Sequence, residues 1–375
     1  MSLGKEKSSN SIFVSAGDPS GDIAGGHFLK ALKEIHPNVD IFGLGGERMR
    51  SLGQEQFVRG SELAALGFWE VARRFNFFRK LLKTAVLAIK ERRPKVVTLI
   101  DYPGFNLRLA EKIKKLGIPI VYYISPQVWA WGKGRIPRMR ALIDRLLVLF
   151  EFEVEFFESH EIKAEYVGHY LLDDIPAEYI GAKYNADSNL IAVLPGSRQQ
   201  EVDRMLPVAL DAARLLSNDN LRFEIGGLSQ LNYDHILSKY PEFKNALRID
   251  STRELIRDSV LVVSSAGTAT LEVLLIGRPL IAIYKTSSIT YQIARRIVNL
   301  KHYALANIVS ENPVATELLQ SDVTGEKIAA EITRLKGSVS EREKIMDEFR
   351  RSREKFTERG ASRRVAEVVA EYINP

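Results

Sequence analysis

An aspartate and an arginine stand where side chains of an α/β protein commonly meet a bound substrate. Asp101 directly follows the apolar run KVVTLI (95–100), and Arg198 lies in LPGSRQQEV, just after another apolar run. A carboxylate at such a place could act as a general base, a role that contributes roughly 10²- to 10⁴-fold in rate. An arginine could bind phosphate oxygens through a bidentate pair. The alternatives are a turn cap for Asp101 and a surface ion pair with Glu201 for Arg198.

A glycine-containing turn follows the first apolar run of the chain. In GDPSGD (17–22), Ser20, Gly21 and Asp22 would lie at the start of a helix, where backbone amides can approach a ligand. A plain helix cap is the alternative, and GLGGERM (43–49) after the second run has the same ambiguity. Neither turn matches a Walker A loop or GxGxxG, so neither indicates ATP or a dinucleotide.

The stretch SSAGTATLE (264–272) is the most informative short motif. Gly267 and Thr268 would present a backbone amide and a hydroxyl at a helix N-terminus, where the macrodipole favours a pyrophosphate. Glu272, one turn further along, could accept hydrogen bonds from a ribose diol. Lys285 follows the next apolar run and would add positive charge nearby. The alternative is a capped helix without a ligand.

Two further segments carry bulky side chains in unusual density. SPQVWAWGKGR (125–135) places Gln127 and Trp129 in a loop after an apolar run, which indicates either a ligand surface or a plug of a hinge. Residues 63–83 predict an amphipathic helix with basic flanks, suited to an anionic membrane surface, or packed against the core. The candidates for membrane docking are Phe68, Trp69, Phe75, Phe78, Arg79 and Lys83.

Composition limits the classes that remain. The 375 residues are 45% hydrophobic and 27% charged, which predicts a folded protein of two or three domains. No cysteine is present, so disulfides, thiolate metal sites and cysteine nucleophiles are excluded. The net charge of +6 suits an anionic partner: nucleic acid, acidic lipid or a phosphorylated substrate. No DxD, HExxH, EF-hand or GxSxG motif occurs, so we expect no metal and no cofactor. No apolar run is long enough to span a membrane.

The elements that would position these residues alternate along the chain. Short β-branched runs alternate with helical stretches, which predicts parallel α/β sheets in two doubly wound halves with a site between them. From about residue 324 onward the pattern is helical and highly charged. The predicted strands cover residues 11–16, 40–44, 95–100, 119–125, 145–150, 190–194, 221–225, 260–264 and 279–284.

The set of motifs, taken in order, resembles the lipid-A-disaccharide synthase family. The resemblance extends from about residue 11 to the C-terminal helices. Individually the motifs are modest, but their order along one chain is very improbable by chance. The matching motifs are GDPSGD, GLGG with Met49, IDYPGFN, SPQVWAW, Gly168 with His169, LPGSR, AGTATLE and ELLQ.

This resemblance implies a GT-B fold, in which two Rossmann-like doubly wound domains face across a cleft, with a helical C-terminal segment. It implies transfer of a diacylglucosamine unit from UDP-2,3-diacylglucosamine to 2,3-diacylglucosamine 1-phosphate by an inverting displacement. Asp101 would be the base and Arg198 would face the leaving diphosphate. The substrate-binding set would comprise Ser20, Gly21, Asp22, Asn106, Gln127, Trp129, Gly267, Thr268, Glu272, Lys285, Asn307, Glu317 and Gln320.

The same resemblance predicts domain limits, partners and location. Residues 1–175 would form the acceptor-binding and membrane-facing domain, residues 176–345 the UDP-sugar domain, and residues 346–375 helices that pack back on the first domain or on a partner chain. We expect a cytoplasmic protein, peripheral on the anionic inner membrane, with no nucleic acid partner and with a homodimer as a candidate assembly.

Four positions depart from the family pattern, and other functions compete with the leading one. Asp18, Ala266, Ala306 and Glu151 replace the usual residues, but none of these changes removes the proposed base or arginine. Competing hypotheses are a GT-B enzyme acting on another lipid acceptor, a UDP-sugar epimerase, and a non-catalytic UDP-sugar-binding protein on the membrane.

Overall fold

The computed structural model describes residues 10–58, 75–130, 132–287, 291–292, 301–356 and 359–373. The chain divides into two compact units, the first formed by Met1–Asp174 with Thr357–Pro375 and the second by Ile175–Phe356. Each unit is built on a parallel sheet with helices, so the predicted α/β class with two Rossmann-like units is confirmed.

The sheet of the first unit runs in the order β3-β2-β1-β4-β5-β6-β7 among the described residues, with every pair of neighbours parallel. Its central strands are apolar and fully buried, as strands covered on both faces must be. The strand order reverses between β1 and β4, and such switch points are where ligands bind in doubly wound sheets. The strands are β1 (Ser11–Ala16), β2 (Asp40–Leu44), β3 (Glu55–Gln56), β4 (Val97–Ile100), β5 (Ile120–Tyr123), β6 (Arg145–Val148) and β7 (Ala164–Tyr166).

Helices cover the first sheet and enclose its core. The long helix α3 lies against α4, and its inward side chains Leu81, Ala85 and Ile89 are buried in that core. The C-terminal helix α15 packs along α1. The helices are α1 (Pro19–Ile35), α2 (Glu47–Ser51), α3 (Phe75–Arg92), α4 (Pro103–Ile113), α5 (Ile136–Leu142), α6 (Glu151–Glu158), α7 (Leu171–Asp174) and α15 (Ala361–Ile373), with 3-10 turns at Lys114–Leu116 and Lys133–Arg135.

The second unit repeats this plan with the strand order β10-β9-β8-β11-β12-β13 among its described residues, again entirely parallel. The strand order reverses between β8 and β11, which creates a second switch point. The strands are β8 (Leu190–Leu194), β9 (Arg222–Gly227), β10 (Leu247–Ile249), β11 (Leu261–Ser265), β12 (Leu280–Tyr284) and β13 (Ala315–Leu319). The helices are α8 (Gln199–Leu215), α9 (Asp234–Leu237), α10 (Thr252–Asp258), α11 (Thr268–Ile276), α12 (Leu305–Val309), α13 (Gly325–Gly337) and α14 (Val339–Glu354), with 3-10 turns at Ala177–Tyr179, Pro241–Ala246 and Gln320–Asp322.

The C-terminal segment is shared between the units, which corrects the prediction of a separate segment 346–375. Helix α14 packs on α11 and α13 and buries Phe349 there, so the predicted limit at residue 345 falls inside a helix of the second unit. Helix α15 belongs to the first unit. The Asp173 carboxylate accepts hydrogen bonds from the backbone N–H of Gly360 (2.6 Å) and Ser362 (2.8 Å), which caps α15, and Arg364 Nε donates to the Val167 carbonyl (2.8 Å).

A buried arginine joins three segments of the second unit. Arg278 is 1% exposed, and its guanidinium donates to the carbonyls of Arg257 (2.9 Å), Ala182 (3.0 Å), Lys183 (2.9 Å) and Gly277 (2.7 Å). Burial lowers the pKa of Arg278 to about 10, so the side chain stays charged at neutral pH. The carbonyls at the ends of α10 and α11 carry the negative end of each helix dipole, which favours a cation at this place.

Replacing Arg278 with methionine should lower the free energy of unfolding by about 3 kcal/mol, because several buried carbonyls would lose their donors. A urea titration followed by circular dichroism measures this loss. Arg222→Met is the matched control, because Arg222 is exposed and its ion pair with Glu224 (3.4 Å) should contribute less than about 1 kcal/mol. Equal losses in the two variants would contradict the structural role assigned to Arg278.

Candidate active site

Asp101 lies in a strained turn at the carboxyl end of β4. Both Asp101 (φ 45°) and Tyr102 (φ 48°) occupy the left-handed region, which costs a residue other than glycine about 1–2 kcal/mol. The Asp101 N–H continues the sheet by donating to the Tyr123 carbonyl (3.0 Å), so the strain begins directly where β4 ends. Strain of this kind persists only where surrounding contacts enforce it, and it is concentrated at functional sites.

Two buried side chains hold the Asp101 turn. The Asn106 amide donates to the carbonyls of Asp101 (2.8 Å) and Ile100 (3.1 Å), and its oxygen accepts from Ser15 Oγ (2.7 Å). The Tyr122 hydroxyl donates to the same Asp101 carbonyl (2.6 Å). Asn106 is fully buried and its amide group holds the turn, while a substrate contact of Asn106 stays a prediction. Tyr122 was not predicted, since in the sequence it is one more residue of a buried strand.

The GDPSGD turn lies directly against the Asp101 turn. The Tyr102 ring covers Gly17 so closely that a Cβ at this position would overlap it, which explains the glycine. Burial, together with the nearby Asp18, raises the pKa of Tyr102 to about 12. Asp18 caps α1 by accepting from the Gly21 N–H (2.7 Å), and Ser20 lies half-buried in the first turn of that helix.

Asp22 connects this turn to the second glycine-containing loop. Its carboxylate accepts from the backbone N–H groups of Gly46 (2.9 Å), Arg48 (3.1 Å) and Met49 (3.1 Å) and thereby caps α2. Both carboxylate oxygens are therefore used within the protein. The alternative left open by the sequence was a cap of the following helix by Ser20 or Asp22, but Asp18 caps that helix and Asp22 caps α2 instead. A substrate contact of Asp22 stays a prediction.

The loop that follows β5, residues 124–130, is called the Trp129 loop here. It begins at Ile124, which has φ 65°, a rare conformation for a β-branched residue. Gln127 is exposed and Trp129 is half-buried. Because β5 pairs with β4, this loop leaves the sheet beside the Asp101 turn. The first unit thus gathers the GDPSGD turn, Asp101 and the Trp129 loop at the carboxyl ends of three adjacent strands.

In the second unit, Gly267 begins helix α11 after β11. It has φ 144°, and within the described part of the chain no atom beyond its sequence neighbours and its own helix lies within 4 Å of where a Cβ would stand, so none of those residues blocks the approach to the first helical turn. Glu272 is paired with Arg253, whose Nη2 lies 2.9 Å from its carboxylate. A helix N-terminus of this kind can bind a diphosphate.

Arg198 lies at the mouth of the turn after β8, the strand next to β11. Its side chain is 59% exposed and forms an ion pair with Glu201 (3.2 Å), which also accepts from the Ser197 N–H (2.9 Å). The alternative considered for Arg198 is therefore present in this structure. Because the pair is exposed, it contributes less than about 1 kcal/mol, and an incoming phosphate could compete for the guanidinium.

Asn307, Glu317 and Gln320, the predicted site residues nearest the C-terminus, have different environments. Asn307 is buried and bonded to Glu317 (2.9 Å), and Glu317 accepts from the backbone N–H of Ala304 (2.9 Å) at the start of α12. These two side chains hold α12 against β13, and their substrate contacts stay predictions. Gln320 differs, because its Nε2 is buried without a hydrogen-bond partner in the described residues while its Oε1 accepts from the Thr286 N–H (3.2 Å).

Four adjacent strands of the second sheet thus end in predicted site residues. Arg198 follows β8, Gly267 follows β11, half-buried Lys285 follows β12 and Gln320 follows β13. The carboxyl ends of parallel strands lie at one edge of a sheet, so the fold brings these four positions to the same edge.

The membrane-docking candidates differ in whether the structure describes them and in how exposed they are. Phe68 and Trp69 lie outside the described residues, as does the side chain of Phe75. Phe78 is half-buried and packs against the core of the first unit, which was the alternative left open for this helix, while a membrane contact of Phe78 stays a prediction. Arg79 and Lys83 are exposed on the same helix. None of the described helices is long and apolar enough to span a membrane.

Comparison with known proteins identifies the family. A sequence model described as lipid-A-disaccharide synthetase matches residues 12–371. The lipid-A-disaccharide synthase of Trichlorobacter lovleyi is 36% identical over 383 residues, covering 100% of this chain and 99% of the relative. That of Coxiella burnetii is 36% identical over 377 residues, covering 98% and 99%.

Solved structures show the fold. A putative UDP-N-acetylglucosamine 2-epimerase from Listeria monocytogenes has a TM-score of 0.63 at 10% identity and covers 97% of this chain and 96% of its own. CalG4, the calicheamicin glycosyltransferase, has a TM-score of 0.59 at 12% identity and covers 97% and 98%. The two Rossmann-like units are those of the GT-B fold, as the sequence predicted. The family match and the full-length relatives show that this chain belongs to the lipid-A-disaccharide synthase family of glycosyltransferases.

Proposed function

We propose that this enzyme transfers a 2,3-diacylglucosaminyl unit from UDP-2,3-diacylglucosamine to the 6-hydroxyl of 2,3-diacylglucosamine 1-phosphate. The acceptor oxygen forms a bond to the anomeric carbon while the bond from that carbon to the diphosphate breaks, which gives a β(1→6) disaccharide 1-phosphate and UDP. Displacement from the face opposite the leaving group inverts the anomeric centre. The family and its relatives support the disaccharide synthase activity; the substrates and the stereochemistry are our proposal.

Asp101 would take the proton of the acceptor hydroxyl. The observation that carries this role is the strained turn of Asp101 at the switch point of the first sheet. Asn106 and Tyr122 hold this turn through hydrogen bonds to the Asp101 backbone carbonyl. Both side chains thereby fix the position of the backbone from which the carboxylate extends. A base held in one position contributes to catalysis through orientation as well as through proton transfer.

The second unit would bind the UDP leaving group. The open helix N-terminus at Gly267 and Thr268 suits the diphosphate, and Arg198 would neutralise the charge that grows as the bond to the anomeric carbon breaks. Gln320 Nε2, buried without a partner in the described part of the chain, could donate to the nucleotide or its sugar. In this proposal the protein's own cations and amides stabilise UDP, and no metal or other cofactor takes part.

A mass-spectrometric assay in detergent tests the proposal. The enzyme is incubated with both proposed substrates in the presence of EDTA, and we expect a tetraacyl disaccharide 1-phosphate together with UDP. Epimerised UDP-sugar without disaccharide would indicate an epimerase instead. Folded enzyme that forms no product with several acyl-chain lengths would favour another acceptor or a binding role.

We also propose that the protein lies on the cytoplasmic face of the inner membrane, where both acylated substrates would be found. Exposed Arg79 and Lys83 on α3 supply positive charge, and each basic side chain near an anionic surface contributes about 1 kcal/mol. We expect Arg79→Glu with Lys83→Glu to weaken binding to phosphatidylglycerol-containing vesicles by about tenfold or more. Sedimentation with these vesicles at low and high salt measures this effect.

The control for docking is Lys239→Glu with Lys244→Glu. It makes the same change in net charge at exposed positions of the second unit. Wild-type binding should weaken at high salt, since screening reduces attraction between exposed charges. Docking through α3 would be refuted if both double variants lost the same affinity, or if wild-type binding were insensitive to salt.

A further inference from the structure

Glu153 is a buried carboxylate that joins two loops at the carboxyl edge of the first sheet. We propose that Glu153 is a positioning residue for acceptor binding, which acts by fixing the Trp129 loop beside Asp101. This inference rests on the proposed function, because it assigns the Trp129 loop to the sugar acceptor. Sequence reasoning did not select this residue, since FEFEVEFF alternates three glutamates with apolar residues and nothing local shows that the middle glutamate is the buried one.

The hydrogen bonds of Glu153 are divided between its two oxygens. Oε1 accepts from the Ser125 hydroxyl and from the Trp129 indole N–H (3.1 Å), both in the Trp129 loop. Oε2 accepts from the backbone N–H groups of Leu149 (3.2 Å) and Phe150 (3.1 Å), which precede helix α6. The residue is 3% exposed. One carboxylate therefore ties the loop after β5 to the loop after β6.

Only a carboxylate can make this connection. Each oxygen receives two donors, so the group acts solely as an acceptor. In either orientation, the isosteric amide of glutamine would direct its NH₂ group at one of the two pairs of donors. The orientation with NH₂ in place of Oε1 is favoured, because there the Ser125 hydroxyl can turn to accept a hydrogen bond, although the Trp129 N–H cannot. The indole would then lose its acceptor while the helix cap on the Oε2 side was kept.

The loop that Glu153 fixes lies beside the proposed base. Strand β5 pairs with β4, and the backbone N–H of Asp101 donates to the carbonyl of the last β5 residue, Tyr123. The strained Ile124 begins the Trp129 loop directly afterwards. The Trp129 ring meets Phe152 edge to face, with centroids 5.2 Å apart, and Phe152 is 42% exposed. Glu153 thus fixes a partly exposed pair of aromatic rings in a loop that begins beside the Asp101 turn.

The test is Glu153→Gln in the disaccharide assay, with the concentration of each substrate varied in turn. We expect the KM for the acceptor to rise about ten- to hundredfold, as loss of positioning by about 1 Å can produce, with the KM for the UDP-sugar changed less than threefold. If Glu153 acts through Trp129, then Trp129→Phe, which keeps a ring and removes the N–H, should raise the same KM. The double variant should be no worse than the more severe single variant.

Glu348→Gln is the matched control. Glu348 is also a buried carboxylate, 3% exposed, and it accepts from the backbone N–H of Glu311 (3.1 Å), but it belongs to the second unit and to no predicted site. It should lower stability without raising the KM for the acceptor. An unchanged acceptor KM in Glu153→Gln, or equal increases in both KM values, would overturn the positioning role. Failure of the wild type to form disaccharide would overturn the proposed function itself, and the inference with it.

Discussion

Asp101→Asn is expected to lower kcat by about 10²- to 10⁴-fold, with the affinity for UDP-sugar nearly unchanged. The amide has the shape of the carboxylate but cannot take the proton of the acceptor hydroxyl. The turn should survive, because asparagine is among the few residues that adopt the left-handed conformation found at Asp101 with little strain. The hydrogen bonds from Asn106 and Tyr122 reach the backbone carbonyl and do not depend on the side chain.

Single-turnover formation of the disaccharide measures the rate, and calorimetric titration with UDP-sugar measures the binding. Asp144→Asn provides the control, because Asp144 is a partly exposed aspartate of the same unit that pairs with Lys114 (2.7 Å). It should leave the rate unchanged. If Asp101→Asn retained the wild-type rate, the base would have to be sought elsewhere, and a non-catalytic binding protein would become the better description.

Arg198→Ala is expected to lower kcat by roughly 10²- to 10³-fold, as loss of one preorganised group that stabilises developing charge does. Without the Arg198 guanidinium, the negative charge that develops on the leaving diphosphate would no longer be neutralised. Stability should change by less than about 1 kcal/mol, since the side chain is exposed and its ion pair with Glu201 lies at the surface. Vesicle binding should not change, because the basic side chains assigned to docking belong to α3.

Arg222→Ala serves as the control for Arg198→Ala. It removes an arginine of the same unit with nearly the same exposure, 60% against 59%, and a comparable ion pair, to Glu224. Kinetics with varied UDP-sugar, a urea titration and vesicle sedimentation together separate the roles. Parallel losses of activity, stability and vesicle binding in Arg198→Ala would show that the residue supports the fold rather than the leaving group.

The strands that sequence reasoning found are those whose residues are mostly buried. The predicted limits of β1, β2 and β8 agree with the structure, because uninterrupted apolar runs bounded by polar residues or glycine leave little choice of conformation. The strands β3, β7, β10 and β13 were not predicted. They contain two to five residues, are mostly half-exposed and include charged side chains, so neither length nor apolar pattern distinguishes them from loops.

The sequence by itself determined the α/β class, the two halves, the family and the placement of Asp101 and Arg198 directly after buried strands. These features depend on the local pattern and on motif order. Only the tertiary structure decided what holds the site. Tyr122 reaches the Asp101 carbonyl because β4 pairs with β5 in one particular register. Ser15 reaches Asn106 because β1 is the other neighbour of β4, and Glu153 reaches Trp129 because β5 and β6 are neighbours. Such contacts join residues far apart in the chain, and no local pattern encodes which strands will be adjacent.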